Sequence, residues 1–147
     1  MASFTSGSKT MQTEYEKPMS SHDKAVVTSF IESSRRERLL GFLSNHKKRR
    51  KFTSELAHRK SRFLDTRYLK SIPPSLQNPA GIYDLLRKLG APERCWVISE
   101  GKLDGTESDL LSALEEIVGR DLGTILSCVP GRLAYFESED ERYILQR

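Results

Sequence analysis

Two apolar stripes with a helical period predict two helices in the C-terminal half of the chain. The first stripe covers residues 82–89, and Asn78-Pro79 before it supplies an N-cap followed by a proline at the first helical position. The second stripe predicts a helix over residues 107–119, with Thr106 and Asp109 in the spacing of a capping box. Both helices carry their apolar residues on one face.

Short apolar runs separated by turn residues predict four strands around these helices. Pro130-Gly131 marks the turn between the second and third strands. The predicted strands are Cys95–Ser99, Thr124–Val129, Leu133–Glu137 and Arg142–Gln146.

The last three strands have apolar residues on both faces, unlike strands with one face in water. In the first of them, Leu126 and Cys128 share one face, and Ile125 and Val129 share the other. We therefore expect both faces of the sheet to be covered. The 107–119 helix would cover one side, and the N-terminal helices or a second subunit would cover the other, which leaves a homodimer open.

The N-terminal half predicts helices with weaker signals. Asp23 is suited to a helix start ahead of the apolar residues over 26–31. Ser34 and Glu37 have capping-box spacing ahead of a second apolar group. A further helical piece is expected over residues 52–64, and Ile72-Pro73-Pro74 should end it.

The order of these elements predicts an α+β fold: N-terminal helices, then helix-strand-helix, then a three-strand antiparallel meander in one small sheet. Residues 1–20 are rich in serine and threonine without periodicity and predict a disordered tail. The remainder, 22–147, is expected to form one domain, with a basic helical arm over 22–70 and a helix-plus-sheet part over 79–147.

Charge is distributed very unevenly over the 147 residues, although the formal net charge is only +4. Residues 35–70 carry 13 cations against 3 anions, whereas residues 71–147 carry 8 cations against 13 anions. Such asymmetry bears on partners and orientation. Attraction between the two parts of the same molecule is the plainest explanation for it.

Five consecutive cations, residues 47–51, dominate the basic segment. Successive helical residues are about 100° apart, so a run of five points around the whole helix. Because burying unpaired charges costs several kcal/mol each, we expect this run to lie in water or against an anion. The predicted nucleic-acid-binding residues are Lys47, Lys48, Arg49, Arg50, Lys51, Arg59, Lys60, Arg62 and Arg67.

Three other interpretations of the basic run remain open. Cations at a helix C-terminus would complement the helix dipole, although one or two would suffice. Arg35-Arg36 followed by the run has the spacing of a bipartite nuclear localisation signal. A basic amphipathic helix could also lie on an anionic membrane. Among nearby aromatic residues, the spacing predicts Phe52 and Phe63 as core and leaves Tyr68 open to base stacking.

Enzymatic chemistry has little support in the sequence. Glu100 and Lys102 follow a strand in the E-x-K arrangement of some Mg²⁺-dependent nucleases, with Asp104 as a second acid, but this tripeptide is common. Cys95 and Cys128 lie inside apolar runs, which is typical of buried structural cysteines. No residues have the spacing of metal ligands, so we predict no metal, no cofactor and no catalytic residue.

The location follows from the same features. Two cysteines in apolar runs, no secretory signal and no apolar segment of about 20 residues predict an intracellular protein without a membrane span. It would be cytoplasmic, or nuclear in a eukaryote.

The sequence therefore favours a non-enzymatic binding or regulatory protein whose basic arm engages a polyanion, most simply nucleic acid. The alternative is a protein-binding adaptor or immunity-type module that presents acidic residues to a basic partner. Those acidic residues would be Glu137, Glu139, Asp140 and Glu141.

Overall fold

A six-stranded antiparallel sheet lies between two layers of helices in the computed structural model, which describes residues 20–147 and only the backbone of Lys60 and Ser61. The α+β class is confirmed, and the predicted tail lies outside the described residues apart from Ser20. The helices are α1 Ser21–Phe30, α2 Arg36–Leu43, α3 Arg49–Arg59, α4 Pro79–Lys88 and α5 Leu110–Ile117. The strands are β1 Leu69–Ser71, β2 Arg94–Ser99, β3 Glu107–Asp109, β4 Thr124–Val129, β5 Leu133–Ser138 and β6 Glu141–Gln146.

The strand order is β1-β6-β5-β4-β2-β3, with every neighbouring pair antiparallel. The predicted meander is present as β4, β5 and β6, and β2 pairs alongside β4. Strands β1 and β3 were not predicted. Each has three residues, mostly polar, at an edge of the sheet, and a segment that short carries no readable period.

Two apolar cores fill the space between the sheet and the helices. Helices α1, α2 and α3 pack on one face around Phe30, Phe52 and Phe136. Helices α4 and α5 pack on the other face around Leu86, Leu114 and Tyr135. The expectation that both faces are covered is confirmed, and the N-terminal helices provide the second cover. The covered face therefore supplies no reason to invoke a second subunit.

A β-bulge corrects the predicted faces of β4. The pairing of β4 with β5 shifts register between Ser127 and Val129, and this shift adds a residue to the strand. As a result, Val129 packs against the same α4–α5 core as Cys128 and Leu126, instead of sharing the face of Ile125.

Helix starts were predicted with mixed success. Asn78 caps α4 by accepting a hydrogen bond from the Gly81 amide, as expected. Ser20 and Asp23 form a capping box at α1. The Ser34–Glu37 capping box is wrong, because a 3₁₀ turn precedes α2 and no side chain caps it. The cap of α5 is Asp109, which accepts from the Ser112 amide, and not Thr106.

Candidate functional site

The cationic run lies where α2 ends and α3 begins. The Asn45 side chain accepts a hydrogen bond from the Lys47 amide and starts a 3₁₀ turn over His46–Lys48, and α3 follows from Arg49. The run therefore precedes and opens a helix, so the prediction of cations at a helix C-terminus is wrong. At this end the helix dipole is positive, and each cation there is disfavoured by about 0.3–1 kcal/mol.

Arg49 differs from its four cationic neighbours because its side chain is largely buried. Its side chain is only 14% exposed, and its guanidinium contacts two carboxylates. Nη1 donates to Asp23 at 2.9 Å, and Nε donates to Asp104 at 2.7 Å. Arg49 therefore lies against anions, as expected for a cation away from water, but both anions belong to the same chain.

Asp23 is the centre of this buried group, which we call the Arg49 clamp: Asp23, Arg49, Trp96 and Asp104. The indole Nε1 of Trp96 donates to Asp23 at 2.8 Å, and Asp23 is 2% exposed. Burial lowers the pKa of Arg49, but hydrogen bonds to Asp104 and Asp23 outweigh burial and raise it. All four side chains are fixed by mutual hydrogen bonds, which makes the clamp a structural joint.

The turn that carries Asp104 explains how it reaches α3. Gly105 has φ of +72°, a conformation that residues with a side chain rarely adopt, and its amide donates to Val97. Asp104 Oδ1 accepts from the Ser99 amide, which leaves Oδ2 for Arg49. The clamp thereby joins α1, the start of α3 and the loop after β2.

A small pocket of about 90 Å³ lies beside the clamp, with His46 and Leu43 among its lining residues. The polar atoms on its wall are largely used by the clamp itself. Next to the clamp, the His22 ring stacks on Trp96 with centroids 6.4 Å apart, and its Nδ1 lies 2.7 Å from the Ser127 hydroxyl. These contacts tie α1 to the sheet.

The other four cations of the run, Lys47, Lys48, Arg50 and Lys51, are exposed. None of them forms an ion pair with another residue in the described range 20–147. We call these four the basic patch. The clamp fixes Arg49 in the middle of the patch and so fixes the backbone from which these cations project.

A shallow groove of about 390 Å³ between α2 and α3 continues the basic patch. Arg50 and Lys51 line it together with Arg38 and Phe42. The guanidinium of Arg38 and the ammonium of Lys51 lie 5.2 Å and 5.8 Å from the centre of the Phe42 ring. Both cations therefore lie over the Phe42 ring and form cation–π contacts with it.

Two of the predicted binding cations beyond the run have acidic partners in the chain. Arg59 pairs with Glu55 at 3.0 Å, and Glu55 also pairs with Arg38 at 2.8 Å. Arg67 forms a bidentate pair with Asp65. Arg62 is exposed, and the side chain of Lys60 lies outside the described residues.

The aromatic residues near the patch are used for packing. Phe52 and Phe63 are fully buried and meet edge to face, which confirms them as core. Tyr68, which the sequence left open, has the guanidinium carbons of Arg67 and Arg147 about 5 Å from its ring centre and packs against Phe30. Among the described residues near the patch, no phenylalanine or tyrosine ring is left bare as a platform for bases.

The residues of the hypothetical nuclease do not converge. Glu100 accepts a hydrogen bond from the Gly123 amide, Lys102 lies 3.8 Å from Glu116, and Asp104 belongs to the clamp. Across residues 20–147, no cluster of three or more histidine, cysteine, aspartate or glutamate side chains could hold a metal ion. This geometry gives the nuclease hypothesis no support.

The cysteines are buried, as the sequence predicted. Burial raises the pKa of Cys95 to about 12 and also raises the pKa of Cys128. Thiols with raised pKa values are poor nucleophiles at neutral pH.

The acidic C-terminal group is also different from the prediction. Glu137 is fully buried and cannot face a partner. Its carboxylate accepts hydrogen bonds from the Tyr135 hydroxyl, from the Gly119 and Asp121 amides and from Arg142. The adaptor hypothesis therefore loses one of its four acidic residues.

The clamp was missed entirely by reasoning from the sequence. Asp23 is 26 residues from Arg49 and 73 residues from Trp96, and Arg49 is 55 residues from Asp104. No local spacing links residues so far apart. The run of five cations drew attention to Arg49, but nothing in the run distinguishes it from its neighbours.

No helix in the part of the chain that the structure describes is long and apolar enough to cross a bilayer. Comparison of the chain with protein-family models, with curated proteins and with solved structures finds no match.

Proposed function

We propose that this chain is a non-enzymatic binding protein whose basic patch engages a polyanion, and that the polyanion is nucleic acid. The observation that carries the proposal is the contrast inside the cationic run. The fold uses Arg49, whereas Lys47, Lys48, Arg50 and Lys51 are exposed and unpaired within residues 20–147.

Energetics argue that the patch is present for a reason other than stability. Four cations at the start of α3 oppose the helix dipole and repel one another. They contribute no core contact, because the buried positions of α3 are Phe52, Thr53 and Leu56. An external polyanion would turn this unfavourable cluster into favourable phosphate contacts.

The surroundings of the patch favour contacts to the phosphate backbone over contacts to bases. Phe42 is covered by Arg38 and Lys51, and Phe52 and Phe63 are buried. Without an open stacking platform, affinity should come mainly from charge. We therefore expect little sequence preference and a strong dependence on salt.

Fluorescence anisotropy of labelled duplex DNA, single-stranded DNA and RNA over a salt series tests the proposal. A variant that changes Lys47, Lys48, Arg50 and Lys51 to Gln should bind at least about tenfold more weakly at low salt. The slope of its plot of log affinity against log salt concentration should be less steep by about 0.9 for each duplex phosphate contact that is lost.

A charge-matched control separates the patch from net charge. Four other exposed cations lie outside the patch: Lys88 ends α4, Lys102 lies in the loop after β2, Arg120 follows α5, and Arg132 lies in the turn after β4. Changing these four to Gln lowers the net charge by the same amount and should preserve most of the binding. Equal losses in both variants, or no binding by the wild-type protein at low salt, would refute the proposal.

A further inference from the structure

A second cluster of cations surrounds a cleft of about 420 Å³ at the start of α2, whereas the basic patch follows the end of α2. Arg36 begins α2, Arg62 follows α3, and Arg147 follows β6, so the cleft joins three distant parts of the chain. Arg67 completes the cationic lining. We call this feature the arginine cleft.

The acidic residues at the cleft do not neutralise it. Asp65 is engaged by Arg67 at 2.7 Å and 3.0 Å, and this hydrogen bonding lowers the pKa of Asp65 to about 2. Glu32 lies 3.5 Å from Arg35. Within the described residues, no carboxylate pairs with Arg36, Arg62 or Arg147, so three guanidinium charges remain around one cavity.

Neutral groups position two of these guanidinium groups. Nε of Arg36 donates to the Ile31 carbonyl at 2.9 Å, and Nη1 of Arg147 donates to the Ser29 carbonyl at 3.2 Å. Arg147 also lies over the Tyr68 ring. A carbonyl or a ring holds a guanidinium in place without cancelling its charge, and it leaves the other N–H donors available.

The floor of the cleft is fixed by the backbone. Ile31 and Leu64 form a β-bridge, the Glu32 amide donates to Phe63 at 2.9 Å, and the Asp65 amide donates to Phe30 at 2.7 Å. Both segments that carry the arginines are therefore tied to each other and to the core. An anion that entered the cleft would meet donors already in position.

From this arrangement we propose that the arginine cleft binds a phosphate group. Guanidinium forks match the spacing of phosphate oxygens and donate to them in pairs, and three guanidinium groups around one cavity suit a dianion. The inference goes beyond the basic patch, because a phosphate could occupy the cleft whatever the patch binds. The phosphate could belong to a nucleic-acid terminus or to a small phosphate ester.

An NMR titration with inorganic phosphate tests this directly, with sodium chloride at matched ionic strength as the reference. The side-chain Nε–H signals of Arg36 and Arg147 should shift in a saturable way, and that of Arg50 in the basic patch should shift less. Shifts no larger than those with chloride, or largest shifts at Arg50, would overturn the proposal.

Variants provide an independent readout. Arg36→Gln combined with Arg147→Gln should weaken phosphate binding by about tenfold or more. Lys88→Gln combined with Arg120→Gln removes the same charge at the end of α4 and after α5, and should leave binding unchanged. The fourfold patch variant should also bind phosphate as the wild type does, so failure of the cleft and failure of the patch are distinguishable. Equal binding by the cleft variant and its control would reject the site.

Two further ligands identify the source of the phosphate. If it is a nucleic-acid terminus, a 5′-phosphorylated oligonucleotide should bind more tightly than its 5′-hydroxyl counterpart, and the cleft variant should abolish the difference. If it is a small ester, glycerol 3-phosphate should compete with inorganic phosphate while the two oligonucleotides bind equally. If glycerol 3-phosphate does not compete and the two oligonucleotides bind equally, the cleft has no site for a phosphate ester and the proposal is rejected.

Discussion

The two helical layers on either side of the sheet are held in different ways. The α4–α5 layer packs through aliphatic residues such as Ile82, Leu86 and Leu114, which recur at helical spacing. The α1–α3 layer has an apolar core as well, but it also carries the Arg49 clamp. The local spacing of apolar residues in a helix predicts which face packs, whereas a clamp depends on where distant segments meet.

Buried carboxylates show the same contrast. The side-chain donors to Glu137 come from Tyr135 and Arg142, two and five residues away. The side-chain donors to Asp23 come from Arg49 and Trp96, which are 26 and 73 residues away. Both carboxylates are satisfied, but only Asp23 receives its side-chain donors from segments far away in the sequence. The α1–α3 layer should therefore be the one that a polar substitution can detach.

The largest effect is expected at the clamp. Arg49→Ala leaves Asp23 buried without its cation and should lower the free energy of unfolding by about 3–5 kcal/mol. Urea denaturation measures the loss. Arg50→Ala is the matched control, because Arg50 is the exposed neighbour and its loss should change stability by no more than about 0.5 kcal/mol. Similar losses in the two variants would mean that the clamp is not what holds this layer.

A core substitution should weaken the other layer by a different mechanism. Leu114→Ala removes a fully buried side chain from α5 and should cost about 3 kcal/mol through lost burial and a residual cavity. Leu111, in the same helix, is only half-buried, so Leu111→Ala should cost clearly less. Thermal unfolding of both variants checks the order, and an inverted order would contradict the packing described for α5.

A small stabilisation is expected in α2. Gly41 lies within this helix, and a methyl group added there would meet no atom within 4 Å. Gly41→Ala should therefore raise the free energy of unfolding by about 0.5–1 kcal/mol. Gly123→Ala is the contrasting case, since its added carbon would lie 2.5 Å from the Ala57 backbone nitrogen of α3. Destabilisation by Gly41→Ala would show that α2 is not a regular helix there.

The smallest effect concerns pH and His22 in α1. Burial lowers the pKa of His22 below its ordinary value of 6.5, and the charges of Asp23 and Glu107 oppose that shift. The unfolded chain then binds a proton more readily than the folded chain. Stability should be fully present above pH 6.5 and should fall as pH drops from 6.5 toward the lowered pKa. Urea denaturation at pH 7.5 and 5.5 should show a smaller pH dependence for His22→Asn, and equal pH dependence would contradict the shift.

Local patterns predicted many of the regular elements. Strand β4 has the predicted bounds, and α4 begins at the predicted proline after the predicted cap. The edge strands β1 and β3 were not predicted because three residues, most of them polar, are too few to show a period. The bulge in β4 was not predicted because the extra residue can be recognised only from the pairing with the partner strand β5. The bulge places Val129 on the face opposite to the predicted one.

The candidate sites were predicted less well than the fold. The cationic run was visible, but the sequence could not separate Arg49 from the exposed cations around it. The arginine cleft was hidden for the same reason, since Arg36 and Arg147 lie far apart in the sequence and meet only in the folded protein.

The sequence alone determined the α+β class, the helical stripes of α4 and α5, the meander and the excess of cations over residues 35–70. These features depend on the period of apolar residues and on composition, which are local. Tertiary structure decided which charges are buried, which are paired and which remain exposed. The physical reason is that the energy of a charge depends on its solvent exposure and on neighbours within a few ångströms, and for Asp23, Arg49 and Asp104 folding sets both.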